Sequence, residues 1–293
     1  MLFPEITTMA RFAFAPILTL VVLLPLFAPH AQGQILVEPP PLHVPYLADA
    51  PAIDGNLDEW KEAAHHDGVW DIYRLRHASW YDGGARNRLT DQAPDEPALE
   101  DDLRARYYMA WDETYLYFGA EVHDNVNDVD DPEPAPHRWM FKDSICWFME
   151  APQDDAPERF GRGDNAFCFV ADASMPDYGA WWRYGTPEDT YQEAQMPDDM
   201  VDYALQFDPW GTGAGDFKLE ARVRMDAFFP VSDPRWVSPP ATGDEYSLMI
   251  VHCDPDGGAY GGHFMVYGDG DDDSTWSRVI LTGPQGPIER LAE

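Results

Sequence analysis

Lysine is nearly absent from this chain. Only Lys61, Lys142 and Lys218 occur in 293 residues, and Lys and Arg together number 19 against 53 Asp and Glu. The formal net charge of −34 repels phosphate backbones and anionic lipid, which argues against nucleic acid as a partner. An acidic surface of this kind also suits a high-salt medium, where screening over a few ångströms removes the self-repulsion, so a halophilic source is expected. Cysteine is scarce as well. Cys146, Cys168 and Cys253 make no disulfide framework and show neither zinc nor covalent haem spacing. Cys146 and Cys168 fall in apolar, strand-like runs that could pair as neighbours, which leaves open one bridge or three buried thiols. Also missing are a G-x-S-x-G elbow, an H-E-x-x-H helix and a phosphate-binding glycine loop. Nothing singles out two of the 53 acids as a glycoside-cleaving pair, so the chain is expected not to be an enzyme.

What is present is enough to fold. With 45% apolar and 14% aromatic residues, the chain can bury a full core. The first 33 residues read as an export signal. Arg11 supplies the positive region, residues 12–27 the apolar one, and Ala31-Gln32-Gly33 places small residues at a cleavage site before Gln34. That apolar run is short for a bilayer and contains Pro16 and Pro25, and no later stretch approaches the roughly 18 apolar residues of a membrane helix. A secreted or periplasmic protein is expected, with no membrane insertion after signal cleavage. Residues 34–48, with Pro39, Pro40, Pro41 and Pro45, read as an extended linker, and residues 49–293 as a single domain.

Period-two alternation dominates that domain. Residues 104–122 form a hairpin, with Ala105, Tyr107, Met109 and Trp111 on one face and, after Asp112-Glu113-Thr114, Leu116, Phe118, Ala120 and Val122 continuing it. Phe217, Leu219, Ala221, Val223 and Met225 alternate with Lys218, Glu220, Arg222 and Arg224. Further strands are expected at residues 69–75, 144–149, 166–171, 178–184, 200–207, 246–252, 263–267 and 276–281, and loop at 83–102, 124–137 and 187–199. One short helix is expected at 57–64, capped by Asn56 with Glu59 in the capping-box position. About ten strands with almost no helix predict an all-β fold, an antiparallel β-sandwich of jelly-roll or immunoglobulin-like type with long loops.

A set of landmarks in a fixed order resembles the family 9 carbohydrate-binding modules and related sandwich domains. They are Ile53-Asp-Gly-Asn-Leu-Asp-Glu-Trp60, Ala110-Trp-Asp-Glu-Thr-Tyr-Leu-Tyr-Phe118 running to Val122-His-Asp124, Trp139 ahead of Asp143-Ser144, Leu219-Glu-Ala-Arg-Val223 and Trp276-Ser-Arg-Val-Ile-Leu281. The resemblance spans roughly residues 50–282. It implies a sugar ligand clamped by tryptophan, with Trp139 in the place of the clamp residue before Asp143. A sugar's C–H face stacks on an aromatic plane while its hydroxyls take polar partners at the edge. Two departures stand out: Cys146 replaces the usual glutamate, and Gly268–Asp273 stands where a second clamp tryptophan is expected. Trp181 and Trp182 are adjacent, so in a strand one faces outward while its neighbour packs inward. The candidate ligand contacts are thus Trp139, Asp143, Trp181 and Trp182.

Asp269, Asp271 and Asp273 alternate in an acidic loop that offers a candidate calcium site, although Ser274 and Ile280 replace the glycine and glutamate of an EF-hand. Asp124, Asn125, Asn127, Asp128 and Asp130 crowd a second such loop. Related sandwich domains also hold haem b without covalent attachment. On that alternative, a periplasmic redox role, Met109, Met149, His123 and His252 are the conceivable axial ligands.

Overall fold

Alternating apolar residues assemble two sheets in the computed structural model, which describes residues 41–68, 79–81, 103–125, 139–154, 160–171, 179–186, 190–213, 215–254, 263–266 and 273–283. The strands are β1 (Leu42–Pro45), β2 (His65–Gly68), β3 (Ser79–Tyr81), β4 (Leu103–Trp111), β5 (Tyr115–Asp124), β6 (Ser144–Glu150), β7 (Asp164–Val170), β8 (Ala180–Gly185), β9 (Tyr191–Gln195), β10 (Val201–Phe207), β11 (Phe217–Arg224), β12 (Glu245–Cys253), β13 (His263–Val266) and β14 (Ser277–Thr282). One α-helix, α1 (Met225–Ser232), follows β11. The smaller sheet runs β10-β11-β5-β4-β2. The larger runs β1-β14-β12-β6-β7-β8-β9, with β13 paired to the second half of β12 and β3 to β13.

The inner faces bury one core. Tyr107, Met109, Phe118, Leu219 and Val223 of the smaller sheet meet Trp147, Phe167, Leu248 and Val279 of the larger, and Trp147 stacks on Phe118 with centroids 4.9 Å apart. Helix α1 closes one end by driving Phe228 and Phe229 against Phe167. A second apolar layer coats the outside of the larger sheet, built on Cys146, Phe148, Cys168, Met249 and Cys253, with Trp139, Phe160 and Trp276 lying over it. A third, of Leu47, Leu57, Trp60, Tyr108 and Tyr117, covers the outside of the smaller one.

The sandwich is the predicted one, and it differs in detail. Residues 42–45 are not linker: β1 pairs in parallel with β14, because Leu42 and Val44 carry apolar side chains into the core. Residues 191–195 are not loop, since β9 extends the larger sheet by antiparallel pairing with β8. The strand expected through Met225 stops at Arg224, where α1 begins. The expected helix at 57–64 is a 3-10 turn at Leu57–Glu59. Asn56 caps it by accepting from Asp58 N, but Glu59 accepts from Ala52 N instead of closing a capping box. The predicted strand at 69–75, the export signal, and Asn127, Asp128 and Asp130 lie outside the described residues.

The family-like landmarks converge on one buried acid. Glu220, on the outer face of β11, accepts from Asp54 N (2.9 Å), Gly55 N (2.8 Å) and Trp60 Nε1 (2.7 Å). Gly55 reaches its place with φ of +87°, a backbone region that favours glycine. Opposite Glu220 on β5, Gly119 has no side chain, and a Cβ there would stand 2.8 Å from Leu57 Cδ2. Leu57 and Trp60 therefore lie flat against the sheet.

Candidate functional site

Strand alternation sorts the two adjacent tryptophans. Trp182 turns inward, stacks on Tyr184 with centroids 4.0 Å apart and donates its indole N–H to Asn165 Oδ1 at 3.1 Å. Trp181 turns outward and packs half-buried against the outer apolar layer. Pairing across β8 and β9 puts Gln195 opposite Trp181, Glu193 opposite Arg183 and Tyr191 opposite Gly185. Trp181, Arg183, Tyr191, Glu193 and Gln195 thus share the outer face of this sheet edge.

Arg183 is the centre of that face. Its guanidinium carbon lies 4.8 Å from the Tyr191 ring centroid, 5.7 Å from Trp139 and 5.9 Å from Phe160, distances at which a cation is attracted to an aromatic quadrupole. Its Nε and Nη2 donate to Glu193 Oε1 at 2.7 and 2.5 Å. Burial opposes the charge of Arg183, yet Glu193 keeps its pKa above the usual range. Tyr191 is 54% exposed, so one ring face is open to solvent beside a fixed donor and acceptor pair.

Trp139 is placed differently from its expected role. It sits in a 3-10 turn at Trp139–Phe141, only 6% exposed, edge-on to Phe148 and tied to β6 by the Ser144 hydroxyl donating to its carbonyl at 2.9 Å. An indole sunk in the outer layer supports the floor of the face and offers no open plane. Asp143 is corrected too. It sits just before β6 and is 1% exposed, so it offers a ligand almost no surface. Tyr191 and Glu193 fall within residues 187–199, where loop is expected, and Arg183, inside the expected strand 178–184, has no local mark of the partners that β9 brings to it. The available signal was the alternation of Tyr191, Glu193 and Gln195 between Pro187 and Pro197.

The carboxylates gather elsewhere. Asp124 at the end of β5, Asp143 before β6 and Asp254 after β12 bring oxygen atoms within 4.8 Å of one another, all buried, at one end of the sandwich. Three carboxylate oxygens from rigid strand ends are hard ligands and could hold calcium. In the expected calcium loop, Asp269 and Asp271 lie outside the described residues, and Asp273 is buried in a 3-10 turn at Asp273–Thr275. At the other end of the strands Glu150 is fully buried. It accepts from Asp154 N at 2.6 Å and Ser247 Oγ at 3.1 Å, and burial pushes its pKa up to about 8.

The residues conceivable as haem ligands do packing work. Met109 and Met149 belong to the core. His252 meets the Tyr107 hydroxyl through Nδ1 at 2.7 Å, and burial lowers its pKa to about 3, which keeps the ring neutral. His123 stacks on Trp210 at 4.1 Å and lies 3.4 Å from Asp216. The haem alternative gains no support from these placements.

Comparison with solved structures finds the same architecture. A family 9 carbohydrate-binding module from Caldicellulosiruptor kristjanssonii in complex with cellotriose is similar over 87% of this chain and 97% of that one, at 13% identity and a TM-score of 0.51. A family 9 module from the same organism in complex with glucose is similar over 84% and 99%, at 13% identity and a TM-score of 0.50. No family model matches the sequence, and no curated protein matches it. The likeness is one of fold: this chain folds as a β-sandwich similar to that of these two modules.

Proposed function

We propose that this protein is an exported, non-catalytic carbohydrate-binding domain that holds a neutral sugar on the outer face of β8 and β9. The observation that carries the reading is the half-open Tyr191 ring beside the Arg183–Glu193 pair. A pyranose would lay its C–H face on Tyr191 while its hydroxyls exchange hydrogen bonds with Glu193, Arg183 and Gln195, and the edge of Trp181 would border the ring. Two sandwiches similar to this one in fold are in complex with cellotriose and with glucose, which favours a glucan-type ligand. A chain of net charge −34 favours a neutral sugar over a uronate or sulfated one.

Isothermal titration of glucose, cellotriose and a panel of neutral oligosaccharides into the protein tests the reading. Heat of binding is expected with at least one neutral glycan, lost in Tyr191→Ala and in Glu193→Ala. Silence across the panel overturns the sugar reading. Binding that survives both substitutions keeps the function and overturns the site.

A further inference from the structure

All three cysteines lie on one side of one sheet. Cys146 of β6 and Cys168 of β7 are direct register partners, and Cys253 of β12 belongs to the same outer apolar layer, two residues beyond Val251, the partner of Cys146. All three are buried free thiols. Directly opposed residues of an antiparallel pair have Cα atoms about 4.5–5.5 Å apart, inside the roughly 4.4–6.8 Å span of a disulfide. Their Cβ atoms, about 4.5–5.5 Å apart, need close by only about an ångström to bridge. Cys253 is a diagonal neighbour of Cys146, about 7–8 Å away by the same geometry, beyond bridging reach.

We propose that Cys146 and Cys168 are an oxidisable pair that closes to a β6–β7 disulfide, with Cys253 left as a thiol. The oxidant is a disulfide of another molecule. One cysteine thiolate attacks it to form a mixed disulfide and expel one thiol, and the second cysteine then displaces the other, so two protein thiols are oxidised and one external disulfide is reduced to two thiols. Because both sulfurs are inaccessible in the folded sheet, the exchange takes place on the folding chain before the outer layer closes over it. Cys168 is also the register partner of Trp181, so the bridged β7 lies directly beside β8 of the proposed sugar face, although the inference stands without that face.

The test is to refold the denatured chain in a mixture of oxidised and reduced glutathione, alkylate under denaturing conditions and map peptides by mass. The expected product has lost two hydrogen atoms, carries one alkyl group, on Cys253, and yields a Cys146–Cys168 linked peptide. Chain secreted to an oxidising compartment and alkylated on recovery serves equally if refolding fails. Cys253→Ser should keep the bridge, Cys168→Ser should leave two alkylated thiols, and the oxidised protein should melt several degrees above the reduced one. Three alkylated cysteines in the oxidised sample, or a bridge that includes Cys253, would overturn the proposal.

Discussion

Replacing Glu220 by Ala should remove a large share of the protein's stability although it touches no proposed ligand contact. The buried carboxylate accepts three hydrogen bonds, from two backbone N–H groups of the Asp54-Gly55 turn and from the Trp60 indole. A hydrogen bond to a charged group contributes about 1.5–3 kcal/mol, and each donor left unmatched in a buried site costs a further desolvation term. Against this, alanine relieves the burial of a charge: desolvation raises the Glu220 pKa despite the three donors. The net loss is about 3–5 kcal/mol, a large fraction of the roughly 5–15 kcal/mol typical of a domain. Urea denaturation followed by tryptophan fluorescence measures it, with the midpoint falling and the m-value unchanged. Trp60→Phe, which deletes one of the three donors, should cost less, and the double variant should show a coupling of about 1–2 kcal/mol. A Glu220→Ala loss below about 1 kcal/mol, or full additivity with Trp60→Phe, would refute the idea that this acid locks the turn to the sheet.

Other consequences are open to direct measurement. Glu150, with a native pKa of about 8 against an ordinary 4.5, binds more protons folded than unfolded, so its contribution is favourable below pH 4.5 and is lost as pH rises toward about 8. At about 1.4 kcal/mol for each tenfold step the span is roughly 4–5 kcal/mol, and Glu150→Gln should remove that slope from the difference between the two denaturation profiles; parallel profiles from pH 5 to 9 would sink it. Trp139→Ala should cost about 3–5 kcal/mol as a buried aromatic truncation. Tyr191→Ala should cost under about 1 kcal/mol while abolishing sugar heat, and the reverse ranking in calorimetry would exchange their roles. Melting temperature should rise from low to molar sodium chloride as self-repulsion among 53 acids is screened, and an unchanged value would count against a high-salt habitat.

Much of the architecture was legible in the chain. The hairpin of β4 and β5 and the one-sided β11 follow from period-two patterning, since a strand with one buried face must alternate. Helix α1 was not, because Met225-Asp-Ala-Phe-Phe-Pro contains Pro230 and continues the apolar phase of β11. β1 was hidden among prolines for the same kind of reason: its pairing with β14 depends on a partner more than two hundred residues away. The tryptophan best marked by local context, Trp139, turned out to be floor, whereas the exposed ring of Tyr191 stood in a stretch without apolar periodicity.

Residue order alone decided which side chains share a strand face, that Trp181 and Trp182 must part company, and that so acidic a surface disfavours anionic partners. Folding decided what covers each face. Burial is a property of neighbours brought in from distant strands, so no local pattern could say that Trp139 would be roofed over, that Glu220 would gather three donors from a turn about 160 residues away, or that Cys146 would come to lie beside Cys168.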